Sequence, residues 1–157
     1  MKKICIVDTT FARVDMAKYA IDKLKSMIPN ARIIRRTVPG IKDIPLAIKQ
    51  IMVKEECDAG MVFGWVGPTL TDKISYAVYS LAIQIVQLEL MKPILDVTLH
   101  EDESDNEVEL AKIAINRSEK HAENLYYLLV DPEALTRHAG TGRRQGYPDV
   151  GPILSAT

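Results

Sequence analysis

An alternation limits what this chain can fold into. Short β-rich runs take turns with stretches whose apolar residues recur at helical spacing. Residues 3–7 (KICIV) are nearly all apolar, and Val14, Ala17, Ile21, Leu24 and Ile28 then repeat with a helical period until Pro29-Asn30 stops it. Residues 31–36 predict a second strand. Residues 44–53 predict a helix (Ile44, Ala47, Ile48, Ile51) with Asp43 as its N-cap. A third strand follows at 58–64, a long helix at 73–91, a fourth strand at 94–99 and a last long helix at 107–129, before a Gly/Pro-rich tail from 131 to 157. Strands joined through helices of this length run parallel, with right-handed crossovers. The fold class is therefore α/β, three-layered, with a parallel sheet of about four strands flanked by helices.

At 157 residues the chain is long enough for one domain with its own core, residues 1–157, its tail either packing on a neighbouring subunit or mobile. Twenty basic and 21 acidic side chains leave a net charge of −1, which excludes a general polyanion partner, so no nucleic acid is expected. The sequence shows no basic segment leading into an apolar one and no apolar run of spanning length; no membrane contact and a cytoplasmic location are expected. Cys5 and Cys57 lack metal-ligand spacing and read as small buried or half-buried side chains in a reducing compartment. The segment 74–91 is apolar nearly all round, so a face not covering the sheet must be buried elsewhere, most economically in a subunit interface.

In parallel sheets ligands bind outside the carboxyl ends of the strands. Four loops should meet there, at 8–13, 37–43, 65–72 and 100–106. The first carries Thr9, Thr10, Phe11 and Arg13. Phe11 is either a staple over the next helix start or an open aromatic platform beside hydroxyls and a guanidinium. The second, TVPGIKDIP, has a Pro39-Gly40 turn, a glycine that lets a ligand approach the backbone, and free N–H groups near Lys42 and Asp43; as plain structure it is a strand-to-helix turn. The third holds Trp65, the only tryptophan, as a second platform or a packing residue against a neighbouring subunit, with Thr71 and Asp72 as helix caps. The fourth, HEDESDNE, favours a helix start by its charge. Its sharper reading makes His100 a proton-transfer group and Glu101 and Asp102 divalent-cation ligands, although no EF-hand or zinc pattern is present. The tail's TRHAGTGRRQG (136–146) is either a mobile terminus or a segment that closes over an anionic or hydroxylated ligand. No phosphate-binding or dinucleotide glycine motif occurs.

Taken together, the segments at 8–16 (DTTFARVDM), 37–45 (TVPGIKDIP), 100–103 (HEDE), 120–128 (KHAENLYYL) and 136–151 (TRHAGTGRRQGYPDVG) resemble the archaeal type of riboflavin synthase, a family related to lumazine synthase. The resemblance extends over essentially the whole chain. It implies a lumazine-synthase-like subunit in a homopentamer, with active sites between neighbours. The implied activity is that of a transferase: two molecules of 6,7-dimethyl-8-ribityllumazine dismutate to riboflavin and 5-amino-6-ribitylamino-uracil. No redox cofactor is then needed, because one substrate is the other's reaction partner. The resemblance also suggests magnesium (Mg2+), for which HEDE is the only acidic cluster.

Phe11 resembles the stacking aromatic of that family, with Thr9, Thr10 and Arg13 around it, and Val38, Pro39, Gly40, Ile41 and Lys42 match the segment that holds the ribityl chain and heterocycle. Lumazine synthase itself is the rival, but its Arg-Gly-x-Thr-x-His stretch reads Gly67-Pro68-Thr69-Leu70-Thr71 here. That departure argues for riboflavin synthase and leaves the general base unassigned. A flavin-binding α/β module without catalysis is the third reading.

Overall fold

β3 (Ala59–Val66) is buried along all eight of its residues, as a strand covered on both faces must be. The computed structural model describes residues 1–145 and 147–154; Gly146 and residues 155–157, assigned above to the tail, lie outside the described residues. Around β3 stand β1 (Lys3–Thr9), β2 (Arg32–Val38) and β4 (Ile94–His100), all parallel, in the order β2-β1-β3-β4. The helices are α1 (Met16–Met27), α2 (Ile44–Glu55), α3 (Leu70–Leu90), α4 (Glu107–Val130) and a short α5 (Pro132–Arg137).

Alternating strand residues feed two apolar layers. Ile4, Ile6, Met61, Phe63 and Leu99 pack with α1 and α4, whereas Cys5, Val7, Val62 and Ile94 pack with α2 and α3. Each strand runs past its apolar stretch at the carboxyl end, since a ladder needs only backbone: Thr9 pairs with Val38, and Val66 with His100. Several candidate site residues are thereby fixed on strand ends rather than in loops.

Three helix starts are sharper than the sequence suggests, and two of their caps differ from expectation. Asp15 caps α1 by accepting from the Lys18 amide at 3.2 Å, which leaves Val14 in the loop. Asp43 has helical backbone and makes no side-chain cap for α2; its carboxylate instead accepts from the Gly40 amide at 3.0 Å, closing a 3-10 turn over Ile41–Asp43. The helix start of α3 is a reciprocal box between Thr69 and Asp72, so Thr71 is simply inside the helix. α5 makes ordered structure of the tail's first residues, with Asp131 as N-cap and Pro132 in the first turn.

The two cysteines are not separate thiols: Cys5 and Cys57 form a disulfide with a Cα–Cα distance of 6.0 Å, both fully buried. Parallel pairing sets Cys5 opposite Gly60 and so brings the chain entering β3 against β1. A sequence separation of 52 conceals this until the strand order is known.

α3 buries Tyr79, Ile83 and Val86 and leaves Ile74, Val78, Leu81, Ile85 and Leu88 between 48% and 73% exposed. Their spacing of four and three residues makes one continuous apolar stripe. No helix among the described residues is long and apolar enough to cross a membrane.

Candidate active site

A cavity of about 290 Å³ opens where β1, β2 and β3 end, lined among others by Phe11, Gly40, Ile41, Lys42 and Gly67. Backbone bonds join its first two loops: the Thr10 amide donates to Val38 O at 2.9 Å and the Phe11 amide to Pro39 O at 3.2 Å. The Phe11 ring stays 56% exposed, while Ala12 and Val14 do the covering of the core. Of the two readings of Phe11, the open platform is the one the geometry leaves. Thr9 is buried, its Oγ1 accepting from the Ala12 amide at 3.3 Å, so it shapes the loop; Thr10 Oγ1 donates to Pro39 O at 3.4 Å. Arg13 turns away to Glu107 at 2.7 Å, a bond that raises its pKa, and does not line the cavity.

Val38 and Ile41 lean on the α2/α3 layer, and Lys42 is exposed at the rim. Gly40 has extended backbone, and only Asp43 Oδ2, at 3.9 Å, approaches the place of a Cβ. Neither strain nor crowding within the chain requires glycine there, and the space beside it is open. Trp65 departs from expectation. It is 2% exposed, its ring sits in the α1/α4 layer, and its Nε1 donates to Glu101 Oε1 at 2.7 Å. Trp65 is among the residues lining the Phe11 cavity, as expected, but an indole so buried and held by this bond presents almost no face for stacking.

A second pocket, of about 490 Å³, lies beside β4, the sheet's edge strand. Asp96, Thr98 and His100 share one face of β4 and line it. His100 Nδ1 is 3.0 Å from Lys73 Nζ, and its ring stands edge-on to Tyr76 with centroids 4.7 Å apart. An ammonium only donates, so Lys73 takes the Nδ1 lone pair and the ring proton is on Nε2. Burial, and then the Lys73 charge, lower the His100 pKa. The expected proton-transfer group is thus a neutral ring that presents an N–H.

Arg117 of α4 is only 6% exposed and reaches round the sheet edge. Its Nη1 donates to Thr98 O at 2.8 Å, and the guanidinium grips both oxygens of Glu103 at 2.7 and 2.6 Å. Burial pushes Glu103 up, but the Arg117 bonds and the His100 amide outweigh it and hold the carboxyl below its ordinary range. Tyr147 from the tail lies 5.2 Å over the guanidinium and donates to Glu103 Oε1 at 3.3 Å. Asp96 has no ion pair among the described residues; Oδ1 accepts from Tyr79 OH at 3.1 Å and from Thr98 Oγ1 at 2.5 Å, and burial raises its pKa.

The HEDE acids do not fit a divalent cation. Glu101 serves Trp65, Asp102 pairs with Lys73 at 2.9 Å, and Glu103 serves Arg117. Among the described residues no group of three or more His, Cys, Asp or Glu side chains converges as metal ligands. The basic tail lies along its own α4, where His138, Arg143 and Arg144 help line a further cavity of about 420 Å³.

Sequence reasoning missed Asp96, Arg117 and Tyr76. Arg117 had a signal: it falls on the buried stripe of α4 with Leu110 and Ala114, where a charge demands a partner. Asp96, a carboxylate in the middle of an apolar strand, carried a similar one.

Fold and clefts together define a class: a three-layer parallel α/β fold with an open cleft at its strand ends and a charged pocket at its sheet edge. The profile of 6,7-dimethyl-8-ribityllumazine synthase matches residues 1–130. The chain is 51% identical over 154 residues to the riboflavin synthase of Archaeoglobus fulgidus, covering 97% of this chain and 99% of that one. It is 50% identical over 153 residues to that of Aeropyrum pernix (97% and 98% covered) and 47% to that of Methanothermobacter marburgensis (98% and 100%). The chain belongs to the 6,7-dimethyl-8-ribityllumazine synthase family, and its fold is lumazine-synthase-like.

Proposed function

We propose that this chain is a riboflavin synthase, a transferase that moves a four-carbon unit between two molecules of 6,7-dimethyl-8-ribityllumazine to give riboflavin and 5-amino-6-ribitylamino-uracil. The observation that carries this is identity of 47–51%, over nearly the full length of both chains, to relatives bearing that name. The site supports it. Phe11 gives a flat ring an exposed aromatic face, and the open backbone beside Gly40 gives ribityl hydroxyls a place to bind. No redox cofactor is required, because the two substrates exchange the unit between themselves. Holding two heterocycles in register supplies much of the rate. The Lys73 ammonium and the His100 Nε2–H are placed to stabilise an anion on a ring in the edge pocket.

The assembly is part of the proposal. The α3 stripe gains by burial against a second copy, and a homopentamer with sites between subunits would bring strand-end loops of one copy to the edge pocket of the next. Lumazine synthase activity is the weaker reading. Where that family carries arginine and histidine, this chain has Val66 at the end of β3 and Thr71 inside α3.

The test is incubation of the purified protein with 6,7-dimethyl-8-ribityllumazine alone, following riboflavin fluorescence and the released pyrimidine. Equal amounts of the two products are expected. Binding without product would leave a carrier, and a sedimenting monomer at micromolar concentration would remove the assembly.

A further inference from the structure

A dismutation of this kind starts when a methyl proton leaves the donor lumazine, and the edge pocket holds few groups able to receive it. Glu103 has both oxygens gripped by Arg117, and the exposed Asp102 gives Oδ1 to the Lys73 ammonium, a bond that lowers its pKa and weakens it as a base. His100 has its Nδ1 covered by Lys73. His121 places its Nδ1 2.8 Å from Arg117 O, which leaves Nε2 as the one imidazole alternative.

Asp96 is built differently from the other carboxylates. Both of its hydrogen bonds, from Tyr79 and Thr98, fall on Oδ1, and Oδ2 has none among the described residues. Yet no buried side-chain oxygen or nitrogen among these residues lacks a partner, so Oδ2 must be open to the pocket that Asp96 lines. The two hydroxyls fix the plane of the carboxylate and aim the unused lone pairs into the cavity. Gly64 on the neighbouring strand leaves the room for this, since a Cβ there would come within 2.7 Å of Thr98 Oγ1.

We propose that Asp96 is the base of the reaction, its Oδ2 accepting the proton from the methyl group of the lumazine bound in the edge pocket. The proposal rests on the riboflavin synthase reading and names the base for it. The methyl C–H bond breaks, an O–H bond forms on Oδ2, and the electron pair spreads into the heterocycle, facing Lys73 and the His100 N–H. The same proton is available to return to product, so no other reactant is consumed. A half-buried carboxylate with no ion pair among the described residues is relieved by taking up a proton, and its raised pKa agrees with that. The charged and titratable groups around it are Lys73, Tyr76 and Tyr79 from α3, His100 from β4, Asp102 and Glu103 after it, Arg117 and His121 from α4, and Tyr147 from the tail.

The experiment compares the wild type with Asp96→Asn, which keeps the shape but cannot take the proton. In heavy water, NMR should show the wild type exchanging the lumazine methyl protons faster than buffer does, and Asp96→Asn should lose that excess. Turnover should fall by about 10²–10⁴-fold, with lumazine affinity within about threefold of wild type. His121→Gln should keep the exchange. Tyr79→Phe removes a bond that favours ionised Asp96, so the acid limb of kcat/KM should move to higher pH. Undiminished exchange in Asp96→Asn, or an acid limb unmoved by Tyr79→Phe, overturns the proposal; the second result decides even if the asparagine variant does not fold. Should the wild type form no riboflavin, the functional reading fails, while methyl exchange still reports on Asp96.

Discussion

The Phe11 cavity and the edge pocket lie at two corners of one sheet and are made of different material. Short segments at the ends of β1, β2 and β3, the first two zipped by backbone bonds from Thr10 and Phe11 to Val38 and Pro39, make the first, with Asp72 and Ser75 of α3 beside them. Charged side chains from α3, β4, α4 and the tail, arriving from far apart in sequence, make the second. The contrast separates tasks. An exposed ring on a loop is free to meet a ligand and does little for the fold, whereas opposed charges out of water are fixed before any ligand arrives and bear on stability and chemistry together.

The largest effect should come from breaking the second region. Arg117→Met leaves Glu103 partly buried without its partner and should cost about 3–5 kcal/mol of stability in urea unfolding. An unchanged midpoint would show that the pocket is not held by this pair. Next comes a change remote from both sites. Reducing the Cys5–Cys57 disulfide should cost about 2–4 kcal/mol while KM for the lumazine stays as it was; a change in KM would tie the clip to a site.

Phe11→Ala should then weaken lumazine binding by about 1–2 kcal/mol for lost stacking, with the melting curve nearly in place. A large loss of melting temperature at constant affinity would return Phe11 to the core. The smallest effect is a shift in titration. Lys73→Met removes a cation that disfavours protonated His100, so the His100 pKa followed by NMR should rise toward 6.5 without reaching it, burial being the larger cause. Since the folded pKa lies below the unfolded one, the unfolded chain takes the proton first on acidification. Stability linked to His100 is therefore lost as pH falls from about 6.5 toward the folded value.

The first region could be read from the sequence because its information is local. Phe11 and the Pro39-Gly40 turn each stand within two residues of a strand end, and the helix and strand periods needed no partner to be seen. What could not be read depends on neighbours across the sheet. Trp65 looked like a platform until Glu101 was found beside its indole nitrogen, and the cysteines looked like separate thiols until β1 and β3 were paired. Asp43 looked like a helix cap because its 3-10 turn costs no change of residue type. The edge pocket needed the order β2-β1-β3-β4, for only an outer strand leaves a backbone carbonyl that an arginine from the opposite layer can reach.

That reach has a meaning for how copies of the chain can meet. An outer strand is a template on which another strand can start to pair, without limit to the number that follow. Arg117 takes the Thr98 carbonyl out of that template, and on the other margin β2 carries Arg32, Arg35 and Arg36 along its length. Fibre growth through either margin is discouraged by guanidinium groups, while the greasy stripe on α3 stays available. Among the described residues the α3 stripe, and not a strand margin, is thus the surface left open to contact with another copy.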